Sequence, residues 1–152
     1  MRTLRVYADT SVFGGCFDEE FREESLAFFR EVKDGRFILV VSLVTLRELR
    51  RSPEQVRQLL RELPSNSVEL LEDSPDVEQL RDAYVQAGVV GSASIDDAEH
   101  IAAATVAEVD VVVSWNFKHI VHLDKIRGYE AVNLLQGYRT IRVHSPKEVI
   151  QT

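Results

Sequence analysis

The sequence predicts an α/β domain on a mostly parallel sheet of about five short strands. Short β-branched runs alternate with longer stretches of helical periodicity, and polar or turn residues flank each run. A chain of 152 residues with 45% hydrophobic composition is long enough for one domain with its own core, so residues 1–152 are read as a single domain.

Leu4 to Ala8 is the first predicted strand. Phe17, Phe21, Phe28, Phe29 and Val32 then recur at helical spacing while Asp18, Glu19, Glu20, Glu23, Glu24 and Glu31 take much of the other face, the pattern of an amphipathic helix with a solvated acidic side. Phe37 to Val41 is the second strand, and Leu43 to Arg51 a short helical segment with Leu43, Leu46 and Leu49 as its apolar positions. Pro53 starts another helix where its missing N–H costs nothing, and Pro64 closes it ahead of a third strand, Val68 to Leu71. Pro75 precedes the apolar stripe Val77, Leu80, Tyr84 and Ala87, and Gly88 to Ser94 is a small-residue loop. Ala98, Ile101, Ala102 and Thr105 then form one helix face whose small residues permit close packing on the sheet. Val111 to Ser114 and Thr140 to Val143 are the last two strands.

No stretch approaches the ~20 apolar residues of a membrane-spanning helix. Met1 to Ala8 has Arg5 inside a short apolar run and no small-residue cleavage site, so no signal peptide is expected and the chain is expected in the cytoplasm. The single cysteine, Cys16, excludes an internal disulfide and a cysteine-built zinc cluster, and is expected to be a small buried or half-buried thiol. A net charge of −7 argues against nucleic-acid binding by bulk attraction, which leaves the task to a metal or to a local basic patch. Arg47, Arg50, Arg51, Arg57 and Arg61 form one candidate patch, and Lys118, His119, His122, Lys125 and Arg127 another; each serves equally well as a solvated helix face.

Three carboxylates stand at informative places. Asp9 directly follows the first strand, where an acid costs free energy unless it is solvated, paired or metal-bound. In open α/β sheets, ligands bind outside the carboxyl ends of the strands, and Ser114 to Asn116 hold the matching position after the Val111 strand. The local alternative for Asp9-Thr10-Ser11 is a turn and helix cap. Asp97 opens a helix whose N-terminus favours an ionised carboxylate; locally, Ser94 and Asp97 match a capping box and Asp96 a cap. Glu48 lies on the helix after the second strand, where an i,i+3 pair with Arg51 accounts for it.

Together these segments resemble a known family. Tyr7-Ala8-Asp9-Thr10-Ser11, Leu46-Arg47-Glu48-Leu49, Asp97-Ala98-Glu99-His100-Ile101-Ala102-Ala103 and Ser114-Trp115-Asn116-Phe117 follow the ordered motifs of PIN domains, particularly the VapC-like toxins of toxin–antitoxin pairs. With Asn133 and Ser145-Pro146-Lys147-Glu148 the likeness spans nearly the whole chain. It implies a three-layer α/β/α domain with the first and fourth strands adjacent, and a Mg2+- or Mn2+-dependent endoribonuclease whose acids match Asp9, Glu48 and Asp97, with Asp96 outside the metal shell. It also implies a homodimer and an antitoxin partner. Ser11 and Ser114 are expected to orient carboxylates or water, and Arg47, Arg51 and Lys118 to hold RNA phosphates.

Asn116 departs from the family pattern, standing where many PIN domains carry a fourth acid. A carboxamide binds metal or water without charge, so the alternative expectation is a weak or inactive PIN-like module that binds RNA or protein. A response-regulator receiver needs paired acids after the first strand, an acceptor aspartate after the third and a lysine after the fifth; none falls properly here.

Overall fold

The computed structural model describes residues 2–151; Met1 and Thr152, the ends of the expected domain, lie outside the described residues. Five parallel strands, β1 (Leu4–Ala8), β2 (Phe37–Val41), β3 (Val68–Leu70), β4 (Val111–Val113) and β5 (Arg142–His144), form one sheet in the order β3-β2-β1-β4-β5. The helices are α1 (Thr10–Gly15), α2 (Arg22–Lys33), α3 (Leu43–Arg50), α4 (Glu54–Arg61), α5 (Pro75–Gln86), α6 (Ile95–Val106), α7 (Leu123–Leu135) and α8 (Pro146–Val149). None of the described helices is long and apolar enough to cross a membrane.

Side-chain alternation along the central strands builds two cores, which is why these strands read as unbroken apolar runs. Val6, Ala8, Leu39, Val41, Val111 and Val113 pack with Val12 and Phe13 of α1, Phe28 and Phe29 of α2, and Val56 of α4. Tyr7, Val40 and Val112 pack on the other face with Leu80 and Tyr84 of α5, Ile101 and Ala102 of α6, and Tyr129 of α7. The result is the three-layer α/β/α arrangement.

From β1 the chain runs outward to β2 and β3 on one side, then returns to lay β4 and β5 on the other. The switch point therefore lies between β1 and β4. The Asp9 amide extends the pairing there by donating to the Val113 carbonyl at 3.2 Å.

β1 and β2 match their predicted bounds, while β3 and β4 each stop one residue early. The last strand begins two residues later than predicted, at Arg142, because its register is set by pairing Arg142 with Val111 and His144 with Val113. The helical spacing read from Phe17 to Val32 is helical only from Arg22: Phe17 to Phe21 form a turn between α1, which ends at Gly15, and α2. Asp18 accepts from the Glu20 amide at 2.8 Å, a local bond that competes with helix, so Phe17 stays exposed and Phe21 turns onto the Trp115 indole, ring centroids 4.3 Å apart. On α3 the inward positions are Val44, Thr45 and Leu49, whereas Leu43 is exposed. Pro53 sits just before α4 rather than inside its first turn. Asn133, part of the motif set, is buried: it accepts from the Tyr84 hydroxyl and donates to Thr105 at 3.3 Å, tying α5, α6 and α7 together. Ser145 and Glu148 form a reciprocal capping box on α8.

Gly15 is required by a close approach. A Cβ there would lie 2.5 Å from Ser25 Oγ and 2.9 Å from Trp115 Nε1, and these two atoms hydrogen-bond at 2.8 Å. Gly15→Ala is expected to lower unfolding free energy by about 1–3 kcal/mol in urea titrations, the usual scale of overpacking. Gly14→Ala is its control: a Cβ there meets nothing within 4 Å, so helix propensity alone acts and stability holds or rises slightly.

Candidate functional site

Asp9 leaves the end of β1 almost fully buried, 4% exposed. Two hydroxyls satisfy it: Ser11 Oγ donates to Oδ1 at 2.5 Å and Ser114 Oγ to Oδ2 at 2.8 Å. Each serine is itself fixed by the backbone after β4, the Trp115 amide donating to Ser11 Oγ and the Asn116 amide to Ser114 Oγ, both at 2.9 Å. Adjacency of β1 and β4 thus gives Ser11 and Ser114 the carboxylate-orienting positions expected of them. Burial pushes the Asp9 carboxyl above the ordinary range and the Asp97 charge adds to this, while His100, Ser11 and Ser114 pull it back.

Glu48 does not pair with Arg51. Its Oε1 points inward and accepts from Thr10 Oγ1 at 2.7 Å and from His100 Nε2 at 2.5 Å. His100 lies on α6 with its ring fully buried, and its Nδ1 stands 2.6 Å from the Tyr7 hydroxyl, which also reaches Ser42 Oγ at 2.6 Å. Partial burial raises Glu48, but the hydrogen bond and charge of His100, with Thr10 and Arg47, leave it below the usual carboxylate range. Burial opposes charge on His100, yet Tyr7, Glu48 and Asp9 together hold its pKa well above that of free imidazole. As an imidazolium the ring donates from both nitrogens, to Tyr7 and to Glu48.

Asp97 lies in the first turn of α6 and forms no capping box; Ser94 precedes the helix without a side-chain cap bond, and Asp96 lies inside the first turn. Burial raises the Asp97 carboxyl first, His100, His119 and Asn116 draw it down, and the Glu48 charge raises it. Asp97 therefore feels the charge of Glu48, and Asp9 that of Asp97. Asp96 pairs with Arg47 at 3.4 Å.

Asn116 does not offer its oxygen as a ligand. Asn116 Oδ1 accepts from the His119 amide at 2.9 Å and the Lys118 amide at 3.2 Å, so it closes the loop after β4 and only its NH2 faces Asp97. His119 Nδ1, in the same loop, is buried without a hydrogen-bond partner among the described residues. Arg47 is engaged by Asp96 and Glu99, both at 3.4 Å, which reduces its availability to phosphate. Arg51 and Lys118 are exposed and make no ion pair among the described residues. Cys16 is buried, and its thiol is pushed up to about 12 by that burial, which makes it unreactive.

Three carboxylates with surrounding hydroxyls are a hard-oxygen donor set, the kind that suits Mg2+ or Mn2+. Among the described residues, no three His, Cys, Asp or Glu side chains already stand in a geometry that holds a metal ion. The donor chemistry fits such an ion, and the raised Asp9 and Asp97 are carboxyls whose ionised form a cation would favour. No protein-family model matches the chain and no curated protein matches it significantly.

The two kinds of carboxyl shift predict opposite stability effects in chelator. Asp9 is raised by folding, so it opposes folding at neutral pH, and this penalty fades as pH falls through its folded value. Asp9→Asn should therefore raise Tm at pH 7, with no gain below about pH 3.9. Glu48 is lowered, so its contribution stabilises above about pH 4.3 and is lost as pH falls through its folded value. Glu48→Gln should lower Tm at pH 7, the difference narrowing in acid. Thermal melts across pH check both signs, and an Asp9→Asn protein less stable at pH 7 would contradict the first.

Proposed function

We propose that the chain is a PIN-like, Mg2+- or Mn2+-dependent endoribonuclease acting in the cytoplasm as the toxin of a toxin–antitoxin pair. The observation that carries the reading is the buried Asp9 held by Ser11 and Ser114 at the switch point between β1 and β4, beside Glu48, which Thr10 and His100 turn inward, and Asp97, whose charge raises the Asp9 carboxyl. A lone buried acid has many structural explanations. Three acids from separate elements, two of them raised by burial and by the charge of a neighbouring acid, form an arrangement that a divalent cation relieves.

Asp9, Asp97 and Glu48 are the residues that would hold the ion. When bound, it supplies charge neutralisation at the scissile phosphate and a water of lowered pKa as nucleophile. Ser11 and Ser114 keep the Asp9 carboxylate in one orientation, each donating to a different oxygen. Arg51 and Lys118 are the cations available to RNA phosphates, with Arg47 in reserve behind its two carboxylates. Dimerisation and antitoxin binding need apolar surface; Leu26 and Leu43 on early helices and Leu123, Leu134 and Leu135 on α7 are exposed.

The second reading, a weak or inactive PIN-like module that binds RNA or protein, is favoured by the use of Asn116 Oδ1 within its own loop. Cleavage of structured RNAs by the purified chain with Mn2+, Mg2+ or chelator separates the two. Activity should require the metal, and Asp9→Asn or Asp97→Asn should each reduce it at least about 100-fold, since residues that merely support metal ligands already contribute 10- to 100-fold. Equal cleavage by the folded double variant would sink the metal–acid mechanism, and a wild type that neither cleaves RNA nor binds metal would leave the binding module.

A further inference from the structure

His100 is an unusual residue for its position. Ala98, Ile101, Ala102 and Thr105, its inward-facing neighbours on α6, are small or apolar, as a helix packed on a sheet requires. An imidazole in this core must have both nitrogens satisfied, and replacing such buried polar bridges with apolar groups of similar volume is often neutral or stabilising. Stability alone therefore gives little reason for a histidine here, so the direction in which its bonds run is informative.

The ring spans three elements. Nδ1 meets the Tyr7 hydroxyl of β1 at 2.6 Å, and that hydroxyl is anchored to Ser42 at the start of α3; Nε2 meets Glu48 Oε1 at 2.5 Å. The Tyr7 and His100 rings meet edge-on, centroids 5.7 Å apart, so the imidazole cannot swing without breaking that packing. Thr10 donates to the same Glu48 oxygen at 2.7 Å. Two donors thus hold Oε1, while Oε2 makes no hydrogen bond within the protein among the described residues.

We propose that His100 is a positioning residue: clamped by Tyr7, it fixes Glu48 so that Oε1 is held by the protein and Oε2 is left to the ligand shared with Asp9 and Asp97. The inference rests on the metal–acid reading for its ligand, but the clamp on Glu48 is testable without it. Glu48 becomes a one-oxygen ligand on a rigid mount, where a surface glutamate of α3 would sample many rotamers.

The test compares His100→Leu, His100→Gln and Glu48→Gln in the full chain, with Mn2+ alone as probe and the 13C relaxation of the Glu48 side chain as a second measurement. His100→Leu should weaken Mn2+ binding about 10-fold or more, the scale of losing a group that orients a ligand. His100→Gln, whose amide can accept from Tyr7 and donate to Glu48, should recover most of it. In the Glu48→Gln background, His100→Leu should add nothing further, because its effect passes through Glu48. Independent, multiplying losses, or full affinity in His100→Leu, would overturn the proposal. If the wild type binds no Mn2+, the metal–acid reading fails, and the relaxation data decide the clamp: Glu48 ordered in wild type and His100→Gln but mobile in His100→Leu supports it, and unchanged order refutes it. Should His100→Leu fail to fold, Tyr7→Phe removes the far anchor of the ring and is read by the same relaxation criterion.

Discussion

A carboxylate that water barely reaches must be answered by donors built into the protein, and Asp9 makes this demand at the centre of the sheet. The answer comes from both sides of the switch point. Ser11 belongs to the chain leaving β1 and Ser114 to the chain leaving β4, and each is held by a backbone amide from the second of these segments. The first turn of α1, the loop after β4 and the pairing of the two strands are thereby mutually constrained. Moving β4 by one residue would exchange Ser114 for a valine or a tryptophan and leave one Asp9 oxygen without its hydroxyl.

Beside this lies a second polar system with the opposite electrostatic sense. His100 brings a positive charge into the core that favours the ionised form of all three acids; at Glu48, to which it is hydrogen-bonded, this outweighs burial, while at Asp9 and Asp97 burial prevails. The acids of the site are therefore unequal: one is hydrogen-bonded to the imidazole and two are not. This local inequality, rather than the net charge of −7, governs what kind of ligand the site can accept.

The parts of the fold legible in the sequence were those with sharp compositional edges. β1 and β2 are apolar runs that end abruptly at Asp9 and Ser42, and both were located to the residue. The edge strand β5 was misplaced because an exposed strand lacks that contrast, and its limits come from the partner strand instead. The break between α1 and α2 was hidden because Phe17 and Phe21 continue a helical spacing that a local Asp18 bond interrupts. At the site, order along the chain singles out Asp9, Glu48 and Asp97 as candidates, but local rules pair Glu48 with Arg51 and give the start of α6 a capping box. The true partner of Glu48, His100, is 52 positions away, beyond any i,i+3 or i,i+4 argument. Its signal was present only as one more letter in a helical motif. Asn116 stands out in the sequence as a departure from the motif, whereas the use of its oxygen by two backbone amides depends on a loop conformation that composition does not encode.

Trp115 is the chain's only tryptophan, and its setting turns it into a natural optical reporter. Its indole is stacked on Phe21, bonded through Nε1 to Ser25 and crowded by the bare backbone of Gly15, while its own amide reaches Asp9 through a single serine hydroxyl. Ultraviolet emission from this protein therefore comes from an indole one residue away from the acids, with no second indole to dilute the signal. A single serine hydroxyl therefore separates the backbone of an unlabelled fluorophore from Asp9.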